Sequence, residues 1–346
     1  GIGRRPQGLP QYVIPFIAVL WSIIQLSNAS WLILDSTYIR ANHLGFALLI
    51  VFLNYPLFKK TRFGLRYFAA KDRIPILDCL IGIIAAFTAI YIVVDYAGLI
   101  TRYGAPITRD IIIGFTLIVL LLEATRRVIG PALPVIASVF LIYSFLGPHM
   151  PDLIAFKGTS LNRLMGQMTM STEGIYGIPL DVSATIVFLF VLFGAMLDKA
   201  GAGQYFIKLA LALLGGFKGG PAKAAVMGSG LTGLVSGSSI ANIVTTGTFT
   251  IPLMKKVGYP STKAAAVEVA ASTDGQLAPP IMGAAAFIIA EYVNVPYITV
   301  IKAAAIPAFA SYAALFFITH IEAVSYTHLT LPTTCNLCRS RWSPCH

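Results

Sequence analysis

The sequence predicts an all-α polytopic membrane protein, and three observations carry that. Of its 346 residues, 57% are hydrophobic, with a mean hydropathy of +0.79. Only 11% are charged, against about 25% in an average soluble domain. That is too few to cover the loops and helix faces a soluble chain of this length exposes, so a soluble enzyme and a disordered chain are both excluded. The apolar residues also form long continuous runs, whereas the strands of a membrane barrel alternate apolar and polar.

A spanning helix needs about 20 mostly apolar residues. Runs of this kind fall at 12–34, 43–58, 76–100, 111–129 and 131–147. Residues 148–180 are mixed, and 181–197 is a sixth span. Residues 204–214 are apolar but only about half a span long. Lys208 lies within them, which suits a helix lying in the membrane interface. A Gly-rich region follows at 219–252. A long apolar stretch at 262–292 is interrupted by Pro279-Pro280, and 297–321 is the last run.

The net charge of +11 would raise nucleic acid as a partner in a soluble chain. Here the basic residues lie in short loops between apolar runs and report topology instead. No nucleic-acid partner is expected, and the contact medium is membrane lipid. With Arg4 and Arg5 inside, 17 of the 25 basic residues fall inside, six of them in the loop 59–73. Six fall outside: Arg40, Arg102, Arg109, Lys157, Arg163 and Lys302. This orientation requires that 204–214 does not cross and that 219–254 enters and leaves on the cytoplasmic side, as a re-entrant hairpin.

The centre of that hairpin is Ser236-Gly237-Ser238-Ser239-Ile240-Ala241-Asn242. A polar, Gly-containing break in mid-membrane cannot face lipid, because its freed N–H and C=O groups need partners. It is tolerated where backbone lines a cavity or coordinates an ion. Serine hydroxyls, the Asn242 amide oxygen and bared carbonyls suit a hard cation. The second half-helix starts near Ser239, and its N-terminus suits a carboxylate. The competing reading is packing, since Ser229, Gly233 and Gly237 form a ladder of small residues at every fourth position.

The next motif, Ala271-Ser272-Thr273-Asp274-Gly275-Gln276-Leu277-Ala278-Pro279-Pro280, interrupts an otherwise apolar span. The prolines remove two N–H donors, and Gly275 permits an unwound turn. Asp274 falls near the bilayer centre, where an acid is costly and usually functional. The halves 262–274 and 281–292 are each too short to cross, so one broken helix is expected. Two discontinuous elements in succession point to a transporter's ion and substrate site. Ser238, Ser239, Asn242, Thr273 and Asp274 are the candidate substrate contacts.

With these motifs in place, 219–292 resembles the large membrane subunit of tripartite ATP-independent periplasmic (TRAP) transporters. Ser236-Gly237-Ser238-Ser239 followed by Pro252-x-Met254-Lys255-Lys256-x-Gly258-Tyr259 resembles the family's first hairpin and its exit. Thr273 to Pro280 resembles the unwound helix that follows. The extra spans before 150 resemble the fused form of the TAXI branch, in which a small membrane subunit is joined to the large one. The resemblance implies an elevator-type secondary transporter in the bacterial inner membrane, multi-pass and not an enzyme. It implies Na⁺-driven import of organic acids delivered by a periplasmic TAXI-type binding protein. No cofactor is expected beyond Na⁺ as coupling ion, held by Ser236, Ser239 and the carbonyls of Gly275, Ala278 and Pro280. Asn242 and Asp274 depart from the family's common pattern, which leaves the coupling ion and the substrate open.

The resulting organisation is a set of N-terminal membrane helices with a small-subunit-like region (1–150), a scaffold helix and interfacial arm (151–218), and the first half of a transport domain (219–323). From 324 on, the sequence resembles translated adapter read-through, so 324–346 is read as a non-native tail. Its Cys335-x-x-Cys338 with Cys345 and His346 suits tetrahedral zinc poorly, because the last two are adjacent. The chain starts at Gly1, and the family's second inverted repeat is missing, so a C-terminally truncated fragment is expected that does not transport alone. Three other readings compete: proton coupling through Asp274, a membrane-embedded enzyme with a Ser238–Lys223 dyad, and a channel, for which no filter sequence is present. His43, His149 and His320 fall near span ends, where interfacial positions are expected.

The orientation is checked by single-cysteine labelling from outside the cell in a cysteine-free background. A cysteine at Gly104 should be modified and one at Gly64 should not. The reverse pattern would overturn both the orientation and the re-entrant hairpin.

Overall fold

The computed structural model describes residues 3–4, 6–8, 10–58, 73–102, 104–217 and 219–340, with the side chains of Ser236 and of 324–340 outside the described set. Five of the six basic residues in the 59–73 loop also lie outside it. Among the described residues all regular structure is helical. Among the described residues six helices are long and apolar enough to cross a membrane: Pro10–Ser30, Ser36–Asn54, Ile76–Val94, Ala132–His149, Ile178–Lys199 and Tyr297–Ala323. The chain is thus an all-α polytopic membrane protein. It divides into two compact units, Gly1–Thr185 and Ile186–His346.

The first unit contains α1 (Pro10–Ser30), α2 (Ser36–Asn54), α3 (Ile76–Val94), α4 (Tyr96–Thr101), α5 (Thr108–Val128), α6 (Ala132–Leu146), α7 (Leu161–Thr169) and α8 (Ile178–Val182). Helix α1 opens on Pro10, where a missing N–H costs nothing. Helix α2 is capped by the Asp35 carboxylate, which accepts from the Thr37 N–H at 2.8 Å. The pair α2–α3 forms the core. Ala41, Ala85 and Ala89 are fully buried between them. A Cβ on Gly45 would stand 3.1 Å from Ile90, and one on Gly82 3.2 Å from Leu49. In lipid no hydrophobic drive holds helices together, so small residues that admit close van der Waals packing do so. Phe16, Ile23, Ile83 and Phe140 face outward, as apolar residues do when the solvent is lipid. His43 is not interfacial as expected. Helix α2 starts at Ser36, so His43 lies two turns inside it, buried 2.7 Å from Gln25 Nε2 and 3.2 Å from Ser183 Oγ.

Charges gather at the two ends of α3. Asp78, in its first turn, is buried and pairs with Arg4 and with Arg127, the latter at 2.9 Å. Arg127 also meets Glu123 (2.8 Å), donates to the Tyr55 carbonyl (3.2 Å) and lies 4.8 Å from the centre of the Phe52 ring. At the other end Asp95 pairs with Arg102 (2.6 Å) and Arg109, while Asp110 accepts from Tyr91 (2.5 Å) and Arg102 (3.2 Å). Arg4, Arg126 and Arg127 therefore share one end, and Arg102 and Arg109 the other, the same grouping that the orientation rule makes. Hydrogen bonding from Arg102 is the main cause holding the Asp95 carboxyl below its ordinary value. Its stabilising effect is full above the ordinary carboxylate value and is lost as pH falls through the depressed one.

The second unit contains α9 (Phe188–Lys199), α10 (Ala202–Leu214), α11 (Gly220–Ser236), α12 (Ser239–Lys256), α13 (Ser261–Gly275), α14 (Ala284–Val293) and α15 (Tyr297–Ser340). Gly201, at φ +89°, turns the chain from α9 into α10. Helix α10 has 13 residues, too few to span. It buries Ile207 and Ala210 and packs on α11, where a Cβ on Gly228 would stand 3.1 Å from the Ile207 Cα. Helix α13 packs against α11, α12 and α15. Tyr259 donates to the Thr319 carbonyl (2.8 Å) and Tyr312 to the Ala271 carbonyl (3.1 Å), tying α15 in place. Helix α15 continues to Ser340, past the end of the last apolar run at 321.

Asp78→Asn should destabilise the protein by about 3–5 kcal/mol, because two buried guanidinium groups lose their shared counter-charge. The measure is the unfolding midpoint in detergent. Arg126→Ala, which removes a partly exposed pair with Glu123 (2.7 Å), should cost no more than about 1 kcal/mol. Equal losses would show that the two ion pairs are equally solvated.

Candidate functional site

The hairpin at 220–256 is built by its turn. Gly237 takes φ +62°, and its N–H reaches back to the Gly233 carbonyl at 3.4 Å, which ends α11. Ser238 is extended, and its hydroxyl accepts from the Ala241 N–H at 3.4 Å, which starts α12. The expected break at Gly237-Ser238 is therefore a reversal between two helices of 17 and 18 residues.

The second break follows α13. The segment 276–283 is not helical, and Pro279-Pro280 is a cis peptide. Gly283 N–H donates to the Gln276 carbonyl at 2.7 Å and closes the segment into a loop. Gln276 Nε2 donates to the Gly237 carbonyl at 3.2 Å, and a Cβ on Gly237 would stand 3.5 Å from the Met282 carbonyl oxygen. The tip of the hairpin and the unwound loop thus touch. Just below, Gly233 and Gly275 meet backbone to backbone, with a Cβ on Gly275 only 2.8 Å from the Gly233 Cα.

The sequence-derived site residues are distributed as follows. Ser238 and Ser239 are half-buried at the hairpin turn. Asn242 lies one turn into α12 and is turned into the helix packing, where its amide nitrogen donates to the Ser229 carbonyl (2.9 Å) and to Ser272 Oγ (3.0 Å). Thr273 is exposed, and its hydroxyl folds back on the Val269 carbonyl at 2.7 Å. Asp274 is partly exposed on α13. Gly275 and Ala278 are buried, while Pro280 is exposed and its carbonyl accepts from Tyr297 at 3.3 Å. The Ser236 side chain lies outside the described residues. Lys223 meets His320 Nδ1 at 3.1 Å. It stands in the first turn of α11, at the opposite end from Ser238, so the Ser-Lys dyad of the enzyme reading does not form.

A cavity of 330 Å³ opens between α9, α10, α11 and α12. Its polar lining is Asp198, Thr232, Ser238, Asn242 and Thr245. Among the described residues, no group of three His, Cys, Asp or Glu side chains is placed to hold a metal ion.

Sequence reasoning missed one residue. Glu268, in the middle of α13, is 1% exposed. Its Oε1 accepts from Ser229 (2.9 Å), Thr246 (2.5 Å) and Ser272 (3.1 Å), and its Oε2 from Thr250 (2.6 Å). Among the described residues no Lys, Arg or His pairs with it. The signal was present: Asn242, Thr246 and Thr250 recur at every fourth residue of α12, and Glu268 and Ser272 do so on α13. Asp274 drew attention because it stands beside the glycine and the prolines, whereas Glu268 lies among alanines in an uninterrupted helix.

The family described as tripartite ATP-independent periplasmic transporter, DctM component, matches residues 116–337. The uncharacterized protein YgiK of Salmonella typhimurium is 26% identical over 167 residues, 47% of this chain and 35% of that protein. The C4-dicarboxylate TRAP transporter large permease protein DctM of Vibrio cholerae is 37% identical over 91 residues, covering 26% of this chain and 20% of that protein. The protein of the same name from Pseudomonas aeruginosa is also 37% identical over 91 residues, 26% of this chain and 21% of its own length. The chain thus spans about a third or less of the length of the curated relatives it matches. No solved structure gives a significant match. The family match covers well over half the chain and includes both breaks and the loop that joins them. By that match and its six candidate spans, the chain belongs to the DctM component family of tripartite ATP-independent periplasmic transporters and is a multi-pass protein of the bacterial inner membrane.

Proposed function

We propose that this chain is a permease component of a secondary transporter that imports carboxylates handed over by a periplasmic binding protein. One observation carries the reading. The hairpin tip at Gly237 touches the unwound loop 276–283, and a cavity with a polar wall opens beside the hairpin. Non-helical backbone within an apolar helical unit has a use where it holds an ion or a substrate. The start of α12 turns its first N–H groups and the positive end of its dipole toward this point, which suits a carboxylate, with Ser238 and Ser239 at the same place. Asn242 reaches the cavity from below, and Thr273 and Asp274 lie on the neighbouring helix. The names of the DctM relatives make C4-dicarboxylates the first substrates to test.

Na⁺ is the coupling ion proposed with this reading. Its ligands are Ser236, Ser239 and the carbonyls of Gly275, Ala278 and Pro280. The Pro280 carbonyl keeps a second lone pair for an ion beside its long contact with Tyr297 (3.3 Å). A TAXI-type binding protein and an elevator movement of the hairpin and broken helix belong to the same proposal.

The test uses the full-length protein that carries this sequence, reconstituted with its binding protein and supplied with labelled C4-dicarboxylate. Ser239→Ala should raise the Na⁺ concentration for half-maximal uptake by roughly tenfold, equivalent to about 1.4 kcal/mol of lost ion binding. Asp274→Asn should leave Na⁺ dependence in place. Unchanged Na⁺ dependence in Ser239→Ala would return the serines to a packing role, and loss of coupling in Asp274→Asn would favour the aspartate.

A further inference from the structure

Glu268 is unlike the other fully buried carboxylates. Asp78 and Asp110 are both paired with arginines. Glu268 is surrounded instead by four hydroxyls, on α11, α12 and α13. An unpaired carboxylate in a membrane helix costs several kcal/mol, so its retention calls for a function.

The hydrogen-bond inventory gives one. Each hydroxyl has a single proton. If all four donate to Glu268, the ionised carboxylate is satisfied. Thr246 Oγ1 also lies 2.7 Å from the Asn242 carbonyl, and Thr250 Oγ1 lies 3.0 Å from the Thr246 carbonyl. When these hydroxyls rotate onto their own helix, their oxygens face Glu268 as acceptors, and a protonated carboxyl can donate to one of them. The same heavy-atom positions therefore satisfy both protonation states. Beside the cluster, Asn242 is 1% exposed, and its nitrogen donates to the Ser229 carbonyl and to Ser272. A metal ion fits less well, since the oxygens already contact the carboxylate at hydrogen-bond distances of 2.5–3.1 Å.

Access is short. Thr246 lines a cavity of 110 Å³ together with Asp198, Gln204 and Thr245, and Asn242 lines the larger cavity beside it. The other charged and titratable groups on the packed elements are engaged elsewhere or lie farther along. Lys223 on α11 meets His320 on α15, Lys263 on α13 meets Glu322 on α15, and Tyr312 donates to the Ala271 carbonyl. Lys255 and Lys256 end α12, and Asp274 lies near the end of α13.

We propose that Glu268 is a proton carrier of this unit: a carboxyl, reached from the cavities through Thr246 and Asn242, that takes up one proton and releases it during the transport cycle. This rests on the transport reading above and adds a proton to the sites it names.

Two measurements on the full-length protein test it. Infrared difference spectra between about pH 5 and pH 9 should show a protonated-carboxyl C=O band from a buried group, absent from Glu268→Gln. Uptake with the binding protein present should change with pH, by up to about tenfold per unit where one proton is limiting. That dependence should flatten in Glu268→Gln while Na⁺ dependence remains. Thr246→Val with Thr250→Val, which removes the rotating hydroxyls but keeps the acid, should shift the band's midpoint and guards against a misfolded Glu268→Gln. An unchanged band or an unchanged pH profile in Glu268→Gln overturns the proton role. A titrating Glu268 band in a protein that moves no carboxylate at any pH would leave the protonation of Glu268 standing but remove the transport reading, and with it the place of that proton in a transport cycle.

Discussion

Gly233 and Gly275 meet with no side chain between them, and the arrangement of residues 186–346 depends on that contact. It brings the end of α11 against the end of α13. The hairpin turn at Gly237 then falls beside Gln276 and Met282, and the two breaks in the helical pattern become one place. One turn further in, the same approach brings Ser229, Asn242, Thr246 and Ser272 within hydrogen-bond distance of one another. A Cβ at either glycine would separate the backbones and open the polar cluster to lipid, where unpaired groups cost several kcal/mol each.

The protein holds its buried acids in two ways, and the difference is chemical. Asp78 is locked between Arg4 and Arg127, cations that do not lose their protons. Such a knot is fixed, and it binds the N-terminal segment to α2, α3 and α5 at one end of the first unit. Glu268 has only hydroxyls around it, and a hydroxyl can donate or accept. The first arrangement suits a scaffold. The second can pass between two electrostatic states without moving its heavy atoms, which suits the part of a permease that does work.

The outward faces follow from the same solvent argument. Ile33, Ile306 and Phe309 are largely exposed. In water a coat of such residues would drive aggregation. In lipid it is the solvent-matched surface, and cohesion falls to small residues, ion pairs and buried hydrogen bonds.

The sequence alone determined the class, most of the helices and the two breaks. Each of these depends on local chemistry: run length against bilayer thickness, and glycine, serine and proline where a helix cannot continue. It also located Ser238, Ser239 and Gly275 at those breaks. Tertiary structure decided which side chains converge. Asn242 reads as a tip residue in sequence; α12 starts at Ser239, and one helical turn brings its amide nitrogen to Ser229 and Ser272 while the residue also lines the cavity. Thr273 reads as a ligand; on α13 it is exposed, with its hydroxyl bonded to the Val269 carbonyl of its own helix. Glu268 was invisible as a site because its partners are 18, 22 and 39 residues away in sequence on two other helices. Only the packing of α11 and α12 on α13 could show that the glutamate is surrounded by hydroxyls and, among the described residues, has no cation beside it, because sequence spacing reports neighbours along one helix and not those across an interface.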